Sequence, residues 1–271
     1  MSKDETVRSL IRGLEVLQAV NRHATFRASD IAKITDIPRP TVYRLLETLE
    51  TLGFVARGAT DGIWRPTLRV KTLSSGFRDE DWVAQNALPR MLRLGKEVLW
   101  PLDLVAFSDF RMLVRESTHA LSPYSIDHGM VGRQLPILET SGGRAFLAFS
   151  EAAERAHVLK ALASRPGDDH ALLHDTAGLD SLLARCRDYG LGFRVEGFNP
   201  HTKSISAPII VDRRVICCMT MIWIGSAMRL EEALDRFGPR LRETAADIAR
   251  SISASRDDAV AVLPIGGPPQ D

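Results

Sequence analysis

The sequence predicts an α+β protein in two parts, a small N-terminal unit of three helices and a β-hairpin, then a larger mixed domain. Three observations carry this. Residues 29–55, SDIAKITDIPRPTVYRLLETLETLGFV, keep an apolar residue in nearly every turn yet break at DIPRP, which no single helix accommodates. The periodicity changes from helical to strand-like at Pro101. Residues 1–75 carry 12 Lys and Arg against 8 Asp and Glu and the remainder 23 against 26, so basic charge concentrates at the front of a chain whose net charge is only +1.

The first helix follows from SLIRGLEVLQAV, where Leu10, Ile11, Leu14, Leu17 and Val20 recur at helical spacing before the polar NRHATF. A second helix opens near Ala28 and is expected to bury Ile31, Ala32 and Ile34. At the break, Pro38 and Pro40 push Ile37 and Arg39 towards extended backbone, while Pro40 suits a first helical turn, whose leading N–H groups lack partners within the helix. The third helix therefore runs from about Pro40 to Leu52, and Gly53 supplies the left-handed residue that stops it. Two β segments, residues 54–57 and 63–68, flank a turn at Asp61 and Gly62. Residues 71–100 read as mostly helical.

Beyond Pro101, PLDLVAF and RMLVRES read as paired strands around Ser108 and Asp109. SGGRAFLAF starts a helix at Ser141, and EAAERAHVLKALAS and LDSLLARCRDYG give two more. Strands return in SISAPIIV and VICCMTMIWI about a turn at Asp212 and Arg213, before a last amphipathic helix from Leu230 to about Ser253. This order gives one α+β domain of roughly 170 residues. The tail PIGGPPQD is expected to fray.

Composition excludes several classes. At 271 residues and 45% hydrophobic, the chain builds cores without staples. Three cysteines, with Cys217 and Cys218 adjacent, form neither a disulfide framework nor a zinc spacing, which points to a reducing cytoplasm. The charged N-terminus and the lack of an apolar run of about 18 residues argue against a signal peptide or membrane span. His170 and His174 share i, i+4 spacing but lack the glutamate of a zinc protease, and TSGGRA lacks the G-x-S-x-G of a hydrolase elbow. With no P-loop, no dinucleotide fingerprint and no nucleophile beside a base, no cofactor, metal or catalytic residue is expected, and His157 reads as a helix-surface residue.

Two short helices joined by a tight turn, the second opening with basic and hydroxyl residues, make a helix-turn-helix, and the hairpin makes it winged. Val42, Leu45, Leu46 and Leu49 form the inner stripe of the third helix. Arg39, Pro40, Thr41, Tyr43 and Arg44 then lie near its N-terminal end, the polar ones facing outward, suited to guanine, thymine methyl or phosphate. Arg27 ahead of the second helix and Arg65 on the hairpin, with Arg57 beside it, are placed for neighbouring phosphates. Such units also serve as protein-interaction modules, and charge alone does not decide between the two. The small Ala32, followed four residues later by Asp36 where a positive φ is needed, favours the DNA-binding motif, although glycine is the commoner turn residue.

At this point IPRPTVYRLLETLETLGFV followed by WRPTLRV resembles the DNA-binding half of the IclR family of bacterial transcription regulators. VGRQLPILETSGGRAFLAF resembles that family's effector-domain signature, and SISAPIIVDRRVICCMTM its closing strands, so the likeness covers residues 8–255. Within the family, LSSGFRDEDWV, WPLDLVAF, VRESTH and MVGRQLP look like the activators of hydroxyphenylpropionate catabolism. The resemblance implies a winged helix over residues 1–70, linker and entry helices over 71–96, a GAF-like effector-binding domain over 97–258 and a tail over 259–271. It also implies a homodimer or homotetramer on palindromic operator DNA, answering to a small organic acid. The family's pocket positions fall on Ser141, Gly142, Ser204, Thr220 and Ile222.

On the residues themselves, Ser141 with Gly142 and Gly143 could offer N–H groups to a carboxylate, or Ser141 could be a plain N-cap. Thr220, in an apolar strand, must find a partner for its hydroxyl. A carboxylate ligand also wants a cation, for which Arg115, His119, His128, Arg133 and Arg194 compete; Arg133 is preferred for its place beside the loop, with His119 next. Trp100 and Trp223 could stack on an aromatic ring or sit in the core. The rival functions are a constitutive repressor without an effector and a small-molecule enzyme.

Overall fold

The computed structural model describes residues 6–22, 26–73, 82–127, 129–165 and 170–261. His128, residues 74–81 and the tail from 262 lie outside the described residues. The chain parts into two compact units, residues 1–79 with 126–130, and residues 80–125 with 131–271. Among the described residues no helix is long and apolar enough to cross a membrane.

In the first unit α1 (Arg8–Arg22), α2 (Ala28–Thr35) and α3 (Arg39–Thr51) pack on one another, and β1 (Val55–Arg57) pairs antiparallel with β2 (Trp64–Pro66). One core of Val16, Leu17, Val20, Ile31, Ile37, Val42, Leu46, Val55 and Trp64 holds all five elements together. Asp36 ends α2 in the left-handed conformation at φ 52°, the positive φ required of that turn, and Gly53 at φ 75° follows α3. The reversal at Asp36 buries Ile37 and leaves Ile34 52% exposed, which corrects the expectation that Ile34 is core. It also starts α3 at Arg39 rather than Pro40, with Pro38 as N-cap, because proline in a first turn forfeits no helical hydrogen bond. The apolar positions of α1 divide in two: Val16, Leu17, Ala19 and Val20 are buried, whereas Leu10, Ile11 and Leu14, with Val7 ahead of them, stay exposed.

After a 3₁₀ turn at Leu68–Leu73, the second unit opens with a π-helical turn at Val83–Ala87 that leads into α4 (Leu88–Val98). Six antiparallel strands follow the order β5-β4-β3-β8-β7-β6: β3 (Leu102–Ser108), β4 (Arg111–Ser117), β5 (Gln134–Pro136), β6 (Gly192–Arg194), β7 (Thr202–Val211) and β8 (Arg214–Ile224). The β3–β4 turn is Asp109–Phe110, one residue later than expected, and the β7–β8 turn is Asp212–Arg213, all four at positive φ, as two-residue hairpin turns require. The helices are α5 (Ser141–Phe149), α6 (Ala152–Ala163), the short α7 (His170–His174), α8 (Thr176–Tyr189) and α9 (Leu230–Ala261). The last runs through Pro239, well past Ser253.

The sheet is covered on both faces. α5 packs on the face carrying Val105, Ser206 and Thr220, while α9 packs against β7 and β8. Both sets of alternating residues in β8 are therefore buried, Cys217 and Cys218 together. Burial pushes the Cys218 thiol well above its ordinary value, so it stays protonated and inert.

Candidate functional site

Two groups of residues singled out by the sequence take opposite environments. On α3, Val42 and Leu46 are fully buried while Arg39, Pro40 and Arg44 are exposed and Thr41 and Tyr43 half-exposed. A basin of about 710 Å³ on one flank of α3 is lined by Arg27 and Ser29 at the start of α2, Arg39 and Tyr43 on α3, and Arg57 to Gly62 in the wing. A groove of about 480 Å³ on the other flank is lined by Thr41, Arg44 and Thr48 of α3 and by Ser9 and Arg12 of α1. Arg12 was missed because its apolar neighbours drew attention to α1 as scaffold; its signal is an arginine one turn before the buried stripe begins.

The exposed side chains hold one another. Arg39 Nη2 donates to Tyr43 Oη at 3.4 Å and its guanidinium lies 5.6 Å from the ring centroid, which holds the phenol below its ordinary pKa. Arg27 N–H donates to Asp30 Oδ2 at 3.0 Å, fixing the start of α2. In the wing, Arg65 Nη2 donates to Asp61 Oδ2 at 2.6 Å, and Asp61 Oδ1 accepts the Ile63 N–H at 3.0 Å. The guanidinium and this turn bond hold the Asp61 carboxyl at about 2.

The second group is buried where α5 meets the sheet. Thr140, not Ser141, is the N-cap, its Oγ1 accepting the Gly143 N–H at 3.2 Å. Ser141 is thereby turned to the sheet, and its hydroxyl donates to Ser204 Oγ at 2.8 Å. Gly142 lies so close that a Cβ there would sit 2.5 Å from Val105 Cγ2 and 3.4 Å from Thr220 Oγ1. Thr220 finds its partner in Ser206, the two hydroxyl oxygens 2.8 Å apart. Register places Asp103, Thr220 and Ser206 side by side on β3, β8 and β7, with Ile222 and Ser204 paired in the next row.

His119 joins this set: its Nε2 lies 3.7 Å from Asp103 Oδ1 and its Nδ1 2.6 Å from Ser125 Oγ, with both His119 and Asp103 buried. Asp103 and Ser206 were not singled out; an acid between Leu102 and Leu104, and a second serine two residues past Ser204, were the available signals.

Arg194, Trp223 and Trp100 go elsewhere. Buried Arg194 donates to the carbonyls of Asn199 and Thr202 and to Thr202 Oγ1, so its guanidinium closes the 195–201 loop. Arg133 stands half-buried ahead of β5, its carbonyl accepting the Val114 N–H. Trp223 alternates to the face opposite Ile222 and donates Nε1–H to the Met228 carbonyl, so it is core and not pocket. Trp100 packs on Tyr124 at 4.8 Å between ring centroids, in a separate groove with Leu99 and Leu121. Arg144, also not singled out, is held by the Leu138 and Phe193 carbonyls, and burial lowers its pKa.

A helix-turn-helix with a wing, its third helix open on the outer face and followed by an α+β domain of this topology, defines a DNA-binding protein with an appended second domain. The first unit matches the IclR helix-turn-helix domain over residues 9–59 and the second the bacterial transcriptional regulator IclR C-terminal domain over residues 82–250; the chain belongs to the IclR family of bacterial transcriptional regulators. It is 24% identical over 253 residues to the transcriptional regulator KdgR of Escherichia coli, covering 92% of this chain and 93% of that protein. It is 28% identical over 255 residues to the Pca regulon regulatory protein of Pseudomonas putida, covering 90% and 84%. Among solved structures it is similar to the IclR of Thermotoga maritima, with a TM-score of 0.63 at 19% identity over 90% of this chain and 98% of that one. It is also similar to an IclR homolog of Microbacterium hydrocarbonoxydans complexed with 4-hydroxybenzoate, with a TM-score of 0.56 at 24% identity over 91% and 99%.

Proposed function

We propose that this regulator controls a catabolic operon in the cytoplasm, binding palindromic operator DNA as a dimer or tetramer and answering to a small organic, aromatic acid. One observation carries the reading: α3 buries Val42 and Leu46 while Arg39 and Arg44 stay exposed and Thr41 and Tyr43 half-exposed, between two flanks each lined by arginines. Thr41 and Arg44 meet base edges, and Arg27, Arg39, Tyr43 and Arg65 meet phosphates. The exposed Val7, Leu10, Ile11 and Leu14 form a stripe at helical spacing that a second copy would cover, setting two recognition helices about 34 Å apart.

The acid sits where α5 meets the hydroxyl row. With the Gly143 N–H capped by Thr140, the N–H groups of Ser141 and Gly142 are the first-turn donors offered to its carboxylate. Ser204, Thr220 and Ile222 line the opposite wall, and His119 or Arg133 supplies positive charge. The ligand acts only by preferring one arrangement of the oligomer over another. A constitutive repressor is the second reading, favoured by one fact: Ser141 with Ser204 and Ser206 with Thr220 already satisfy each other, and α5 packs tightly on Val105.

Calorimetric titration with a panel of aromatic and aliphatic acids, 4-hydroxybenzoate among them, together with operator affinity with and without each acid, decides between the two. Binding of one acid with a changed operator affinity supports the proposal, and His119→Ala or Arg133→Ala then weakens the response without changing DNA affinity of the free protein. Operator affinity indifferent to every acid favours the constitutive repressor, and turnover of an acid would favour an enzyme.

A further inference from the structure

The wing of this protein carries an acid in a basin whose other charged lining residues are arginines. The basin beside α3 is lined by Arg27, Arg39 and Arg57, and Asp61 is the one acidic residue among its described lining residues. Asp61 is not a loose surface charge. One carboxylate oxygen lies 2.6 Å from Arg65 Nη2, the other lies 3.4 Å from Nη1 and accepts the Ile63 N–H, so the turn aims the carboxylate at the guanidinium. Residue 58 is bare where the pair sits: a Cβ on Gly58 would fall 2.2 Å from Asp61 Oδ1 and 2.7 Å from Arg65 Nη1. Gly58 has no positive φ to account for a glycine there, and space for the ion pair is the physical reason for it.

We propose that Asp61 is a specificity-determining residue of the DNA interface: it occupies Arg65 and repels phosphate, so the wing engages only duplexes whose backbone comes close enough to displace it. This rests on the DNA-binding reading of the first unit. A phosphate and the Asp61 carboxylate offer the same guanidinium the same bidentate chemistry, so they compete for it. On random DNA the carboxylate keeps Arg65. On a preferred duplex the base contacts of α3 hold the backbone against the wing, and Arg65 exchanges the carboxylate for a phosphate. The acid thus lowers non-specific affinity more than specific affinity, which is specificity obtained by repulsion.

The test uses the full chain and two fluorescent duplexes, one of random sequence and one enriched by the protein from a random pool, with affinities measured from 50 to 200 mM KCl. Asp61→Asn keeps an oxygen for the Ile63 N–H while removing the charge. The variant is expected to bind the random duplex about three- to tenfold more tightly at 100 mM salt, with a log–log salt slope steeper by about 0.9, one further phosphate. The enriched duplex gains less, so the specificity ratio falls. In an Arg65→Ala background only the direct repulsion of phosphate by Asp61 is left to remove, so the same substitution gains less than it does with Arg65 present. An unchanged slope, weaker binding of the random duplex, or an equal gain without Arg65 overturns the proposal. Failure of the wild-type chain to enrich any duplex would instead overturn the DNA-binding reading itself.

Discussion

The two units use polar side chains in opposite ways. Around α3 and the wing, the Arg39–Tyr43 and Asp61–Arg65 bonds each join neighbours on one helix or hairpin and are open to water. Around α5, Ser141, Ser204, Ser206 and Thr220 are buried, and each bond joins different strands or a helix to a strand. A bond between exposed side chains is exchanged for a ligand at small cost, because water competes for both partners already. A buried pair is exchanged only for a ligand that satisfies every group it uncovers. On the proposed function, the first surface suits contacts formed and broken along DNA, and the second suits sharp discrimination among small molecules.

The sharpest way to break this contrast is Gly143→Ala. A Cβ there would lie 1.8 Å from the Ile137 carbonyl oxygen, and the atoms it meets are backbone, with no flexible side-chain end to yield. The expected cost is about 3 kcal/mol or more, read as a fall in melting temperature on the order of 10 °C. A variant as stable as wild type would show that the start of α5 is loosely held and that the buried unit is not the rigid one.

Arg44→Ala comes next. Its exposed side chain makes no core contribution, so folding stability stays put while affinity for the enriched duplex falls about 10- to 100-fold. Fluorescence anisotropy checks the affinity and calorimetry the acid binding, which should be unaltered. Thr220→Val reverses the pattern: Ser206 keeps only a 3.4 Å contact to the Met219 carbonyl, and the expected loss is about 1–3 kcal/mol of stability in urea unfolding. Acid binding falls with it while DNA affinity of the free protein does not.

How far these regions were legible in the sequence follows the same division. The recognition face was readable because helical periodicity separates Val42 and Leu46 from Arg44, and local turn chemistry places Asp36 and Gly53. Ile34 misled because α2 is only eight residues long, and its apolar stripe passes to Ile37 across the turn. In the second unit, Ser204 and Thr220 were named from the family resemblance, Thr220 also from its place in an apolar strand, but the neighbours that complete the row, Asp103 and Ser206, depend on strand register. Three short features, β5, β6 and the π-helical turn, have too few residues to show a period. The fate of Arg194, used up on a loop, is a tertiary fact with no local signature.

The smallest expected effect probes how far an exposed pair can shift a charge without steadying the fold. Arg65 and the Ile63 N–H hold Asp61 at about 2 against an ordinary 3.8. A carboxyl depressed in the folded state stabilises above its unfolded value, and that stabilisation is lost as pH falls from 3.8 through about 2. Because the pair is open to water, its share of stability is discounted to below detection, and the titration itself is the observable. Carbon NMR of the aspartate carboxyls in the full chain, from pH 5 to 2.5, should find Asp61 still largely ionised at pH 3. In the Arg65→Ala variant the midpoint climbs back towards 3.8, stopping short of it where the turn bond remains. A wild-type midpoint near 3.8 would mean that the wing pair does not hold in solution, leaving the exposed unit with side chains that face solvent but not one another.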